Sequence, residues 1–193
     1  MLKRSGARFI PLASLITLLL AVGILGAKQA GAEAMTEGER VYRDLRDLAL
    51  KTSPADLKLR LDGSKVVAYG VLMETSYPMG TVTLATFISG DASLYFSNGG
   101  GIIGGVGHEN VRTAAQKFLE ASQKFLARMS KASQFPAPSA RCTRFYVLTN
   151  QGVYAAGEFL EDDLGNKKSE FFPLFYAGQD VISALRLSQP HNR

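Results

Sequence analysis

The sequence predicts a single α+β domain: an antiparallel sheet of about five strands with helices packed on it. Three observations predict it. Turn-rich links at residues 77–80, 89–92 and 150–152 join apolar, β-branched runs, so those runs should pair as hairpins. A long amphipathic stretch, residues 108–131, divides a first block of three strands from a second block of two. One cysteine, Cys142, excludes any internal disulfide, so the core must hold itself together.

The elements follow in order. Thr36 and Glu39 form a T-x-x-E capping box that opens the first helix. Val41, Leu45, Leu48 and Ala49 recur at helical spacing as its inner face. Glu39–Arg43, Arg40–Asp44 and Arg43–Asp47 are the expected i,i+4 pairs outside. Residues 56–61 are ambiguous between a helical turn and a strand. Residues 66–73 are apolar on both faces and belong in the middle of the sheet. Residues 81–88 and 93–96 continue as hairpin partners. On the long helix, Val111, Ala115, Phe118, Leu119, Ser122, Phe125, Leu126 and Met129 share one face, which should cover the sheet. Residues 145–149 and 153–159 form the second hairpin. Residues 161–168 read as an exposed polar loop, 171–176 as a dense aromatic patch, 178–187 as a last helix and 188–193 as a frayed tail. The predicted order is α-β-β-β-α-β-β-α. Roadblock-like and profilin-like domains share this general build, an analogy of architecture that carries no activity.

Residues 1–34 read as an export signal. Lys3, Arg4 and Arg8 precede an apolar run, 9–27, and Ala32-Glu33-Ala34 is an A-x-A cleavage site, with Ala30-Gly31-Ala32 as an overlapping one. The alternative is an uncleaved anchor, because roughly 18 apolar residues just span a bilayer. Either reading puts residues 35–187 outside the cytoplasm as a secreted or periplasmic domain. Four of the 22 basic residues and one of the 17 acidic ones lie before Met35, which lowers the net charge from +5 to +2 for the remainder. That balance, with no basic cluster, argues against a nucleic-acid partner.

Residues 99–107 hold six glycines in nine positions, just ahead of the long helix. Bare backbone N–H groups at a helix start can hold an anion, so Gly101, Gly104, Gly105, Gly107, His108, Glu109 and Arg112 are the candidate ligand-binding residues. The competing reading is a tightly turned loop with glycine wherever a side chain would not fit. Gly99 to Gly104 matches G-x-G-x-x-G, but the preceding strand belongs to a hairpin and the helix starts too late for a dinucleotide site. His108-Glu109-x-x-Arg112 starts like the zinc-protease motif and has Arg112 where the second histidine is needed; His191, the other histidine, is in the tail. No metal site and no cofactor is expected. Cys142 and His108 are the sole thiol–imidazole candidates, although a cysteine inside a strand pattern is more commonly a small buried hydrophobe. Tyr69, Tyr77, Tyr95, Phe96, Tyr146, Tyr154 and the 171–176 patch could line a ligand groove, against the competing reading that most of them pack the core. Glu74 and Asp91 stand isolated, with no partner carboxylate in view.

Gly70-Val71-Leu72-Met73-Glu74, Ser93-Leu94-Tyr95-Phe96-Ser97, the glycine run and His108-Glu109-x-x-Arg112 together resemble a family of small bacterial proteins with no assigned function. The resemblance spans roughly residues 40 to 187 and carries no catalytic residues. The leading expectation is a non-catalytic exported domain that binds a small ligand or a protein partner. The first alternative is a hydrolase or transferase using the loop amides, with His108 as acid–base. The second is a homo-oligomeric module pairing through a sheet edge or the aromatic patch.

Overall fold

The computed structural model describes residues 35–189; the expected export segment, and residues 190–193 with His191, lie outside it. The described residues are α+β. Helix α1 (Glu37–Lys51) leads to strands β1 (Ala68–Tyr77), β2 (Gly80–Phe87), β3 (Ala92–Phe96) and β4 (Gly101–Ile102). Helix α2 (Glu109–Phe125) follows, then β5 (Ser130–Lys131), β6 (Cys142–Thr149), β7 (Gly152–Leu160), α3 (Glu161–Gly165) and α4 (Phe172–Leu187). All seven strands form one sheet in the order β4-β3-β2-β1-β6-β7-β5, antiparallel at each pairing. Five are the expected strands. The other two, β4 and β5, are two-residue additions at the edges.

β1 lies mid-sheet, as its two-sided apolar pattern requires, between β2 and β6. Its alternate residues serve two different layers. Val71 and Met73 point, with Leu84, Leu94, Phe145 and Val147, into the main apolar cluster. Val111, Ala115 and Phe118 of α2 and Leu174, Val181 and Leu185 of α4 close that cluster. Gly70, Leu72 and Glu74 face the opposite side, toward α1. The register pairs them there with Phe87, Ala85 and Thr83 on β2 and with Leu148, Tyr146 and Arg144 on β6.

The capping box forms as expected, with Thr36 and Glu39 each accepting from the other's backbone. Spending Glu39 there removes it from the expected pair with Arg43; on α1 the i,i+4 pair that closes is Lys51–Asp47 at 3.1 Å. The inner face is also rotated from expectation. Val41 is exposed, and Tyr42 and Arg46 point at the sheet instead. A strand-spanning carboxylate, Glu74, outweighs apolar periodicity in choosing that face. Residues 56–61 are neither helix nor strand: 54–58 form hydrogen-bonded turns.

Three boundaries differ at the other end. α2 stops at Phe125, tightens through Leu126–Arg128, and releases Ser130–Lys131 to pair with β7. The expected polar loop at 161–168 contains α3, whose Leu164 is fully buried against the cluster. The aromatic patch is the beginning of α4. Pro173 sits in its first turn, where its missing N–H costs nothing, so it marks a start and not a break. Phe171 and Phe175 are buried, with the Phe171 ring 4.6 Å from Phe159 and 4.9 Å from Phe125.

Candidate functional site

The glycine run divides into spent and unspent backbone. Gly101 lies in β4 opposite Tyr95, where an added Cβ would meet the Leu94 carbonyl oxygen. Gly105 is buried, and a Cβ there would lie 2.7 Å from both Leu185 and Val111. These two positions are glycine because nothing else fits. Gly99, Gly100 and Gly104 have positive φ, as the sharp path of the run demands. The run also touches α1: a Cβ on Gly38 would lie 3.0 Å from the Gly99 Cα. Gly104 and Gly107 alone among the candidate glycines face open space.

The remaining candidates cluster at the start of α2. His108 is exposed and serves as N-cap residue, but its side chain makes no capping hydrogen bond; its N–H goes to the Gly105 carbonyl. Its carbonyl accepts the Arg112 N–H, which leaves the first-turn amides without intrahelical partners. Glu109, exposed in that first turn, complements the positive end of the helix dipole. Arg112 bends back, donating from Nη1 to the Val106 carbonyl at 2.7 Å while its stem packs over Gly90.

Asp91 lies beneath this corner, in the β2–β3 turn. Burial raises its carboxyl above the ordinary aspartate value, against the pull of the Ala92 and Val106 N–H groups beside it. Its Oδ1 is buried and closes no hydrogen bond among the described residues. The amide of Val106 therefore already faces an anion belonging to the chain itself. Gly105 is buried and Gly101, though exposed, is part of the β3–β4 pairing, so neither forms an open anion cradle, which corrects the expectation for both. What stays accessible is the outer rim formed by Gly104, Gly107, His108 and Glu109.

The other candidates separate. Cys142, half-buried and not fully buried as expected, begins β6 next to Thr143, which pairs with Thr75 near the β1–β2 turn. His108 follows a loop packed on Ala92, at the β2–β3 turn. The sheet register puts these two turns at opposite ends, so no thiol–imidazole pair exists. Among the described residues no group of His, Cys, Asp and Glu is placed to hold a metal ion. Tyr69, Tyr95 and Tyr146 are buried, with Tyr69 donating to the Thr52 carbonyl and Tyr146 to that of Pro136. A groove of about 730 Å³ opens beside α2, yet Ala68, Ile88, Leu119 and polar α2 side chains line it, with no aromatic among them. The sheet ends in the two-residue strands β4 and β5, the latter carrying Lys131, and such short charged edges discourage edge-to-edge pairing.

Sequence reasoning missed the most constrained polar group. Glu74, fully buried, takes both arms of Arg46: Nε to Oε1 at 2.6 Å and Nη2 to Oε2 at 2.7 Å. Thr83 donates to Oε1 at 3.0 Å, and Tyr42 meets Thr83 at 2.9 Å. Burial disfavours the charged guanidinium, but Glu74 overcomes it and raises the Arg46 pKa. A glutamate within an apolar strand, facing a helix with an arginine at an inward position, was the available signal. No family model matches the chain, and neither a search of curated proteins nor one of solved structures returns a match.

Proposed function

We propose that this chain is an exported, non-catalytic binding domain whose small ligand contacts the outer rim of the glycine loop at the start of α2. One observation carries the reading: the first turn of α2 is exposed and uncapped by His108, beside open space at Gly104 and Gly107. The ligand is a compact anion or a polar group that accepts from main-chain N–H groups, because donors and the positive helix end are what the rim offers. Asp91 fills the inner position, so the ligand sits outside it and not within the loop. The oligomer alternative has less to draw on, because the edge strands are short and Phe171 and Phe175 are buried.

The test is a thermal-shift screen with inorganic phosphate, nucleotides, carboxylates and short peptides. A ligand at a hundred times its Kd stabilises by about 2.7 kcal/mol, a readily measured rise. Gly107→Val is the informative variant. Its Cβ meets nothing within 4 Å and its φ is ordinary, so the fold tolerates it while the rim is obstructed. The rise should vanish in this variant. A screen with no rise, or a rise that Gly107→Val leaves intact, rejects the rim as the site.

A further inference from the structure

We infer that α1 is a hinged cover, latched to the sheet by Arg46 and Glu74, which lifts as a unit while the α2–α4 side of the domain stays folded. The two faces of the sheet are held by different physics. The main apolar cluster draws on the strands, α2, α3 and α4, and among the described residues none before Val66 belongs to it or packs against it. Of the fifteen residues of α1, the buried ones are Ala49 and Leu50, both in its last turn. Ahead of them the side-chain hydrogen bonds to the sheet are Tyr42 to Thr83 and Arg46 to Glu74, and Gly38 lies close against Gly99.

The same guanidinium carries a second anchor. Arg46 Nη2 also donates to the Phe135 carbonyl at 2.8 Å, and the Phe135 ring stands edge-on to Tyr146 at 5.6 Å. One side chain thus joins α1, the centre of β1 and the strip before β6. A buried ion pair contributes little net free energy while closed, because desolvating both charges offsets most of their attraction. On opening, both charges regain water. The face beneath is mixed: Glu74, Thr83, Tyr95 and Tyr146 lie along it together with the buried Leu72, Ala85 and Leu148, so wetting it carries an apolar cost that keeps the closed state the dominant one. The hinge end is different. Ala49 and Leu50 are buried there, and Thr52 accepts from Tyr69 at 2.9 Å, so the last turn of α1 stays attached. Residues 52–67, with no helix or strand, give the hinge its slack.

Native-state hydrogen exchange of the whole protein, read by segment across low denaturant, tests this. In the wild type, amides of α1 ahead of Ala49 should exchange through an opening with a smaller denaturant slope than amides of α2, β1 and β6. Glu74→Gln leaves Arg46 without its charge partner and destabilises the closed state, so α1 exchange should accelerate about a hundredfold while keeping a smaller denaturant slope than α2. Two results overturn the inference: α1 exchanging in the wild type only with global unfolding, or Glu74→Gln leaving α1 exchange at the wild-type rate. Should Glu74→Gln not fold, the wild-type slopes decide the matter alone.

Discussion

Gly178 of α4 rests directly on the thioether of Met73 in β1: a Cβ there would lie 2.7 Å from both Sδ and Cε, and 3.3 Å from the Phe118 ring. This is the close crossing that lets α4 and α2 share one face of the sheet. Met73 is itself 2% exposed, so its methyl has little room to retreat. Gly178→Val should therefore destabilise by about 1–3 kcal/mol through overpacking. Gly178→Ala should cost less, because about 1 kcal/mol of helix propensity offsets the clash. Denaturant midpoints at unchanged slope measure both; a stabilised Gly178→Val means the crossing is looser than these distances.

The pair beneath α1 predicts a non-additive series. Removing either partner leaves a buried charge alone, so Arg46→Met or Glu74→Leu should each cost about 3–5 kcal/mol. Together they replace two charges by apolar groups, and the double variant should be more stable than either single one. A double-mutant cycle reads the coupling directly. Additive losses would show that Arg46 and Glu74 act independently.

Much of the fold was legible because local chemistry and tertiary demand agreed. Thr36 and Glu39 opened α1, the two-sided apolar run placed β1 centrally, and the apolar face running from Val111 on α2 to Met129 beyond its end is buried almost as read. Legibility failed where a long-range partner reversed a local signal. Residues 171–176 read as an aromatic patch ahead of the last helix and are its first turns; the acidic stretch after Leu160 looked like solvent-exposed loop and hides Leu164. The glycine run announced tight geometry correctly, but Asp91, which comes ten residues before Gly101, could not be seen as the anion beside Val106. Arg46 and Glu74 are 28 residues apart, and the glutamate in an apolar strand signals a buried partner without saying that it is Arg46.

Cys142 provides a chemical readout of the far end of the sheet. Its thiol is raised above the ordinary cysteine value by burial first and by Glu158 second, with Arg144 opposing. The thiolate fraction at neutral pH is therefore below that of an unstructured cysteine, and the thiolate is the nucleophile. Modification by a disulfide reagent at pH 7 should run slower in the folded protein than in denaturant, and Glu158→Gln should speed it. Reaction at the unfolded rate would mean that neither burial nor Glu158 acts on the sulfur.

Asp91 gives the pH dependence. Its carboxyl is raised by burial, with the Ala92 and Val106 amides resisting. A carboxyl raised on folding binds its proton more tightly folded than unfolded. Its contribution is thus fully present below the unfolded value, about 3.9, and is lost as pH rises through the folded value. Asp91→Asn keeps the shape and removes the titration. Wild-type stability should accordingly fall relative to Asp91→Asn as pH is raised from 4 toward 7, and the variant should be the more stable protein at pH 7. Glu158 has the opposite sign: the Ser139 backbone amide, first among its causes, lowers it, so its contribution is present above the unfolded value and lost as pH falls through the folded one. Urea midpoints at several pH values for wild type and Asp91→Asn separate the two groups, because Asp91 acts on the upper side of the carboxylate range and Glu158 on the lower. A constant difference between the two proteins across that range would mean that the Asp91 proton is bound alike in the folded and unfolded chain. The orphaned Oδ1 would then place no electrostatic strain on the glycine corner.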